Sequence, residues 1–217
     1  MKLDGVIFDL DGTLADTLED LAAALNRVLS SEGLPAYDDA AVRGLIGNGI
    51  RRLVTDALPP ERRTEEAIAR CCDRFMTDYG EHCLVNTRLY DGVAQLVSAL
   101  RTDAVKLAVL SNKADELTRR IVDALIGFGS FDVVTGAQPG IPLKPDPTAA
   151  LLVSTRLGVS PGRIACLGDS PTDVLTATAA GMVAVGVSWG FRTRSELVES
   201  GARAVLDHPL DLLEMRR

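Results

Sequence analysis

The feature that most constrains this chain is an alternation between two apolar patterns. Short runs rich in β-branched residues occur at Gly5–Phe8, Val105–Leu110, Phe131–Val134, Ile164–Leu167, Val183–Val187 and Ala204–Leu206. They have the length and composition of buried strands. Between most of them lie stretches with apolar residues at helical spacing: Val93–Leu100, Leu117–Leu125, Thr148–Leu157 and Pro171–Ala180. Strands hydrophobic throughout and separated by helices predict an α/β fold, with a parallel sheet covered on both faces.

One region breaks the alternation. From about Asp16 to about Asn86 there is no convincing strand, only four amphipathic stretches, Leu18–Leu29, Asp39–Leu45, Ile50–Leu58 and Glu65–Tyr79. Gly33-Leu-Pro35, Gly47-Asn-Gly49 and Pro59-Pro60 punctuate them as turns. The expectation is a helical insertion over 16–86, within a core formed by 1–15 and 87–217. At 217 residues the chain has room for both.

Composition narrows the partners. With 30 acidic against 23 basic residues the net charge is −7, and the arginine pairs are scattered, so neither a nucleic acid nor an anionic membrane is an expected partner. The four cysteines lack C-x-x-C spacing and there are only two histidines, which argues against a zinc cluster and for reduced thiols in a cytoplasmic protein. Asp4, Asp9 and Asp11 interrupt the only early apolar run, as no signal peptide would. A monomer or a homodimer is expected.

In an open parallel sheet, ligands collect beyond the carboxyl ends of the strands. Polar residues cluster there: Asp9-Leu-Asp11-Gly-Thr13 after the first strand, Ser111-Asn112-Lys113 after the second, and Gly168-Asp169-Ser-Pro-Thr-Asp173 after a later one, with Lys144 in a Pro-rich loop between. Gly12 allows an immediate turn that brings Asp9 and Asp11 toward one site. Adjacent carboxylates without His or Cys suit a hard divalent cation such as Mg²⁺, with Asp169 as a further ligand. Beside such a cation Asp9 can attack phosphorus, Asp11 can exchange protons with the leaving oxygen and with water, and Ser111, Asn112 and Lys144 can hold phosphate oxygens. Taken singly, these residues have plainer readings: Asp169 to Asp173 as a helix start, Ser111-Asn112 as a cap, Lys144 as a surface lysine. Their order at successive strand ends favours the site.

These motifs, D-x-D-G-T, then Ser, then Lys, then G-D-x-x-x-D, resemble those of the haloacid dehalogenase superfamily of phosphotransferases, in order over almost the whole chain. The resemblance implies a Rossmann-like core with an inserted four-helix cap, Asp9 as nucleophile and Asp11 as acid and base. It further implies Ser111 and Lys144 as phosphate binders, Asp169 as metal ligand with Asp173 outside the ligand set, and metal contact by Asp11 through its backbone carbonyl. Dehalogenases of this superfamily lack a carboxylate at the position of Asp11. The run Asp20–Asn26, the turn Gly47-Asn-Gly49 and Leu89–Val93 are similar to the phosphoglycolate phosphatase group. The implied activity is hydrolysis of a small phosphomonoester, with 2-phosphoglycolate the leading candidate and Asn48 and Arg51 as candidate specificity residues. Two alternatives share parts of the pattern, a phosphosugar mutase of the β-phosphoglucomutase type and a non-catalytic phospho-accepting signalling module.

Overall fold

The computed structural model describes residues 3–216. Its core is a six-stranded, wholly parallel sheet. In chain order the elements are β1 (Gly5–Phe8), β2 (Ala15–Asp16), α1 (Leu18–Ser31), α2 (Asp39–Leu45), α3 (Ile50–Ala57), α4 (Glu65–His82), β3 (Arg88–Leu89), α5 (Val93–Thr102), β4 (Lys106–Ala114) and α6 (Asp115–Leu125). There follow β5 (Val133–Ala137), α7 (Thr148–Leu157), β6 (Ile164–Gly168), α8 (Pro171–Ala179), β7 (Val183–Val187), α9 (Arg194–Glu199), β8 (Ala204–Leu206) and α10 (Asp211–Arg216). The sheet order is β5-β4-β1-β6-β7-β8, the doubly wound order that reverses direction beside β1 and opens a crevice at its carboxyl end. The expected fold class is the one observed.

Strand alternation divides the core. Val6, Phe8, Leu107, Val109, Ala165, Leu167 and Val185 face one side with α5, α6 and α10. Ile7, Ala108, Leu110, Ile164, Cys166 and Ala184 face the other with α7, α8 and α9. Each face is sealed by helices, which is why the strands carry no polar alternation. The first cluster continues into the inserted helices through Leu21, Leu25, Leu53 and Phe75.

The insertion differs from the expectation at its ends. Asp16, the expected first residue of the helical insertion, lies on β2, and the first inserted helix starts at Leu18. β2 pairs antiparallel with β3, Ala15 opposite Leu89 and Asp16 opposite Arg88. Strands of two residues are too short to show periodicity. β4 also runs past its expected end at Leu110, and its pairing with β5 is irregular there, four steps from Leu110 to Ala114 facing two from Thr135 to Ala137. Such an irregularity breaks strict alternation and re-aims side chains.

Candidate active site

The chain leaves β1 through a tight turn held by the Leu10 carbonyl, which accepts from the N–H of Leu14 and of Ala15. Gly12 in this turn has φ +78°, and a Cβ there would lie 2.2 Å from Asp169 Oδ2. Only glycine meets both demands.

The turn brings both carboxylates to one cavity but gives them different partners. Asp9 Oδ1 lies 2.9 Å from Lys144 Nζ. Asp11 Oδ1 lies 3.1 Å from Lys113 Nζ and accepts from the Thr17 hydroxyl at 2.7 Å. Each like charge therefore has its own buried lysine. Burial opposes the charge on Lys113, but Asp11 and Tyr79 outweigh it and hold the ammonium above the ordinary lysine range. Burial likewise opposes the charge on Lys144, and Asp173 and Asp9 outweigh it.

Lys113 stands in the strand-end run that the sequence shows, but no role is read for it there. The irregular end of β4 lets Ser111, Asn112 and Lys113 serve the site from consecutive positions, where strand alternation would have sent one of them to the opposite face. Ser111 lines the cavity. The Asn112 amide, expected to hold phosphate, is committed elsewhere: it donates to the Gly47 and Lys144 carbonyls and accepts from the Lys144 N–H. It fixes the lysine loop and touches the insertion.

Lys144 is no surface lysine. It is 6% exposed, and its Nζ donates to Asp173 at 2.6 Å and to the Leu110 carbonyl at 3.0 Å. Asp173 also starts a helix, accepting from the Ser170 N–H and hydroxyl, so the carboxylate that pairs with Lys144 is at the same time a helix cap. Asp169 Oδ2 accepts from the Phe191 N–H at 2.6 Å.

Asp9, Asp169 and Asp173 bring one carboxylate oxygen each within 4.8 Å of one another, and Asp11 is not of this group. Burial pushes the Asp9 carboxyl up to about 7, partly offset by Lys144 and reinforced by Asp173 and Asp11. Burial with the charges of Asp173 and Asp9 also raises Asp169 well above the carboxylate range. Crowded, buried, all-oxygen donors with too little positive charge fit a hard divalent cation.

Above these residues lies a cavity. The inserted helices and their turns line it with Leu21, Ile46, Ile50, Leu53, Phe75 and Tyr79. Asn48 and Arg51, the expected specificity residues, are exposed and outside the lining. Arg51 pairs instead with Glu65.

Comparison with known proteins matches this geometry to a family. The model of haloacid dehalogenase-like hydrolases matches residues 6–187. Phosphoglycolate phosphatase 1 of Pseudomonas aeruginosa is 35% identical over 96% of this chain and 78% of its own length. N-acetylmuramic acid 6-phosphate phosphatase of the same organism is 30% identical over 99% of this chain and 95% of its own. A crystal structure from Lactobacillus delbrueckii subsp. bulgaricus, provisionally named a phosphoglycolate phosphatase, superposes with a TM-score of 0.92 at 32% identity, covering 100% of this chain and 99% of its own. The chain belongs to the haloacid dehalogenase-like hydrolase family, and its full-length relatives include phosphatases.

Proposed function

We propose that this protein is a Mg²⁺-dependent phosphatase that hydrolyses a small phosphomonoester through a phosphoryl group carried on Asp9. The observation that carries the reading is the separation of Asp9 and Asp11 onto two buried lysines, with only Asp9 in the carboxylate cluster. Residues 1–15 and 87–217 would form the catalytic core and 16–86 a cap that excludes water.

Asp9 attacks phosphorus, and the bond to the leaving oxygen breaks as Asp11 delivers its proton to that oxygen. Water then attacks the phosphoryl group on Asp9, Asp11 takes the water's proton, and inorganic phosphate leaves with the Asp9 carboxylate restored. Ser111 and Lys144 hold phosphate oxygens, and Asp173 keeps Lys144 in place. Bound by Asp9, Asp169 and the backbone carbonyl of Asp11, a magnesium ion would offset the repulsion between carboxylate and phosphate.

2-Phosphoglycolate leads the substrate panel, because relatives named for that activity cover nearly the whole chain. Leu21, Ile46, Ile50, Leu53 and Phe75 replace Asn48 and Arg51 as the residues facing the leaving group. The test is phosphate release from 2-phosphoglycolate, N-acetylmuramic acid 6-phosphate, sugar phosphates and p-nitrophenyl phosphate, with Mg²⁺ and with chelator. Turnover is expected only with Mg²⁺, and Asp9→Asn is expected to reduce it by at least about 10³-fold. Turnover in chelator, or an active Asp9→Asn, would sink the mechanism. A phosphosugar isomer without free phosphate would select the mutase.

A further inference from the structure

The segment that follows β7 is not used by the chemistry above, yet four consecutive residues of it reach three separate parts of the site. Trp189 Nε1 donates to the Thr13 carbonyl in the turn after β1 at 3.0 Å. Gly190 sits so close to that turn and to Asp169 that a Cβ would fall 2.3 Å from both the Gly12 carbonyl oxygen and Asp169 Cβ. Phe191 donates its N–H to Asp169. Arg192 then crosses to the cap, where Nη1 donates to the Arg43 carbonyl at 2.6 Å and Nη2 donates to the Gly44 and Ile46 carbonyls at 3.1 and 2.8 Å.

Those three carbonyls belong to the end of α2 and the residue beyond it, where backbone acceptors lack partners within the helix and the helix dipole favours a cation. Arg192 makes no ion pair with a carboxylate among the described residues, so its directional bonds are those to the cap. It also lines the cavity, as do Ile46, Gly47 and Gly49 from the turn that it holds. The neighbouring core contact is weaker: Asn112 makes one bond to Gly47. A planar guanidinium can span several acceptors in one fixed geometry, which an ammonium cannot.

We infer that Arg192 is a positioning residue that fastens the cap's α2–α3 turn over the catalytic core. Because Phe191 and Gly190 hold the same strap against Asp169, the closed cap and that carboxylate are set in register by one short segment. The kinetic part of this inference rests on the phosphatase reading; the fastening itself does not.

The test uses the full chain with Arg192→Ala and Arg192→Lys. By hydrogen–deuterium exchange without substrate or metal, backbone amides of residues 43–50 are expected to exchange about tenfold faster in Arg192→Ala, while those of β1 and β6 stay at the wild-type rate. With a substrate that the wild type turns over, kcat/KM is expected to fall on the order of 10- to 100-fold, the loss that goes with removing charge-assisted bonds. Arg192→Lys is expected to lie between and provides the readout if the alanine variant does not fold. Unchanged exchange at 43–50, or faster exchange spread evenly through the core, would overturn the fastening role. Local loosening with kcat/KM within twofold of wild type would overturn the link to turnover. If the wild type releases no phosphate from any substrate, the proposed function fails, and the exchange result still decides the fastening.

Discussion

Asp11 takes its working position from Lys113, whose Nζ lies between the Asp11 carboxylate and the Tyr79 hydroxyl, 3.0 Å from the latter and 4.4 Å from the Tyr79 ring centre. Tyr79 lies on α4, so one buried ammonium joins Asp11, the proposed acid and base, to the inserted helices. Replacing it with an apolar residue of similar length leaves the Asp11 charge without its main partner. Lys113→Met is therefore expected to lower kcat on the order of 10- to 100-fold, more than it changes KM, as steady-state phosphate release would show. Among the candidate site residues, Asp9, Asp11, Asp169 and Asp173 could be read from sequence because they stand where a strand pattern stops, and Lys144 because it falls in order between those runs. Lys113 stands in such a run too, but an irregular strand end hides which of its side chains turn inward, so its role could not be read. Asn48 and Arg51 misled for a related reason: a turn between helices marks a place in the chain, and its sequence does not say which of its side chains face the cavity.

At the scale of elements, the two crossings between core and insertion are tied by one side chain. Asp20, in the first turn of α1, is 2% exposed. It accepts from the N–H groups of Asn86 and Thr87, from the Asn86 amide and from the Thr87 hydroxyl. The carboxylate thus satisfies the backbone of the return crossing just before β3. Asp20→Ala would strand those donors, and a loss of about 2–4 kcal/mol is expected in urea unfolding. In the sequence, the run beginning at Asp20 shows only a family likeness. That its carboxylate is a clasp depends on residues 66 and 67 positions away, a distance that no local pattern spans. The long helices and the buried strands were legible for the opposite reason, since each repeats its signal over several residues. β2, β3 and the six-residue α9 and α10 repeat theirs too few times.

For the molecule as a whole, the cluster of Asp9, Asp169 and Asp173 is where the fold works against its own stability. Three carboxylates crowd together, only Asp9 and Asp173 pair with Lys144, and burial opposes charge in the cluster. Mg²⁺ binding should relieve that cost. At a hundredfold excess over its Kd the cation would add about 2.7 kcal/mol, or roughly 5–10 °C in a chain of this size. Differential scanning calorimetry with Mg²⁺ and with chelator measures this. Asp169→Asn is expected to lose most of the shift and to melt above the wild type in chelator, because it removes a repelling charge. No helix among the described residues is long and apolar enough to cross a membrane.

The antiparallel pairing of β2 with β3 has a consequence of a different kind. It brings the entry and exit of a 71-residue excursion side by side, about 5 Å apart in the ladder. In evolutionary terms the insertion is a cassette with both ends at one socket. It can be exchanged, lengthened or shortened without changing the order of a single strand in the sheet, so a lineage can alter what is admitted to the site while inheriting the catalytic turn unchanged.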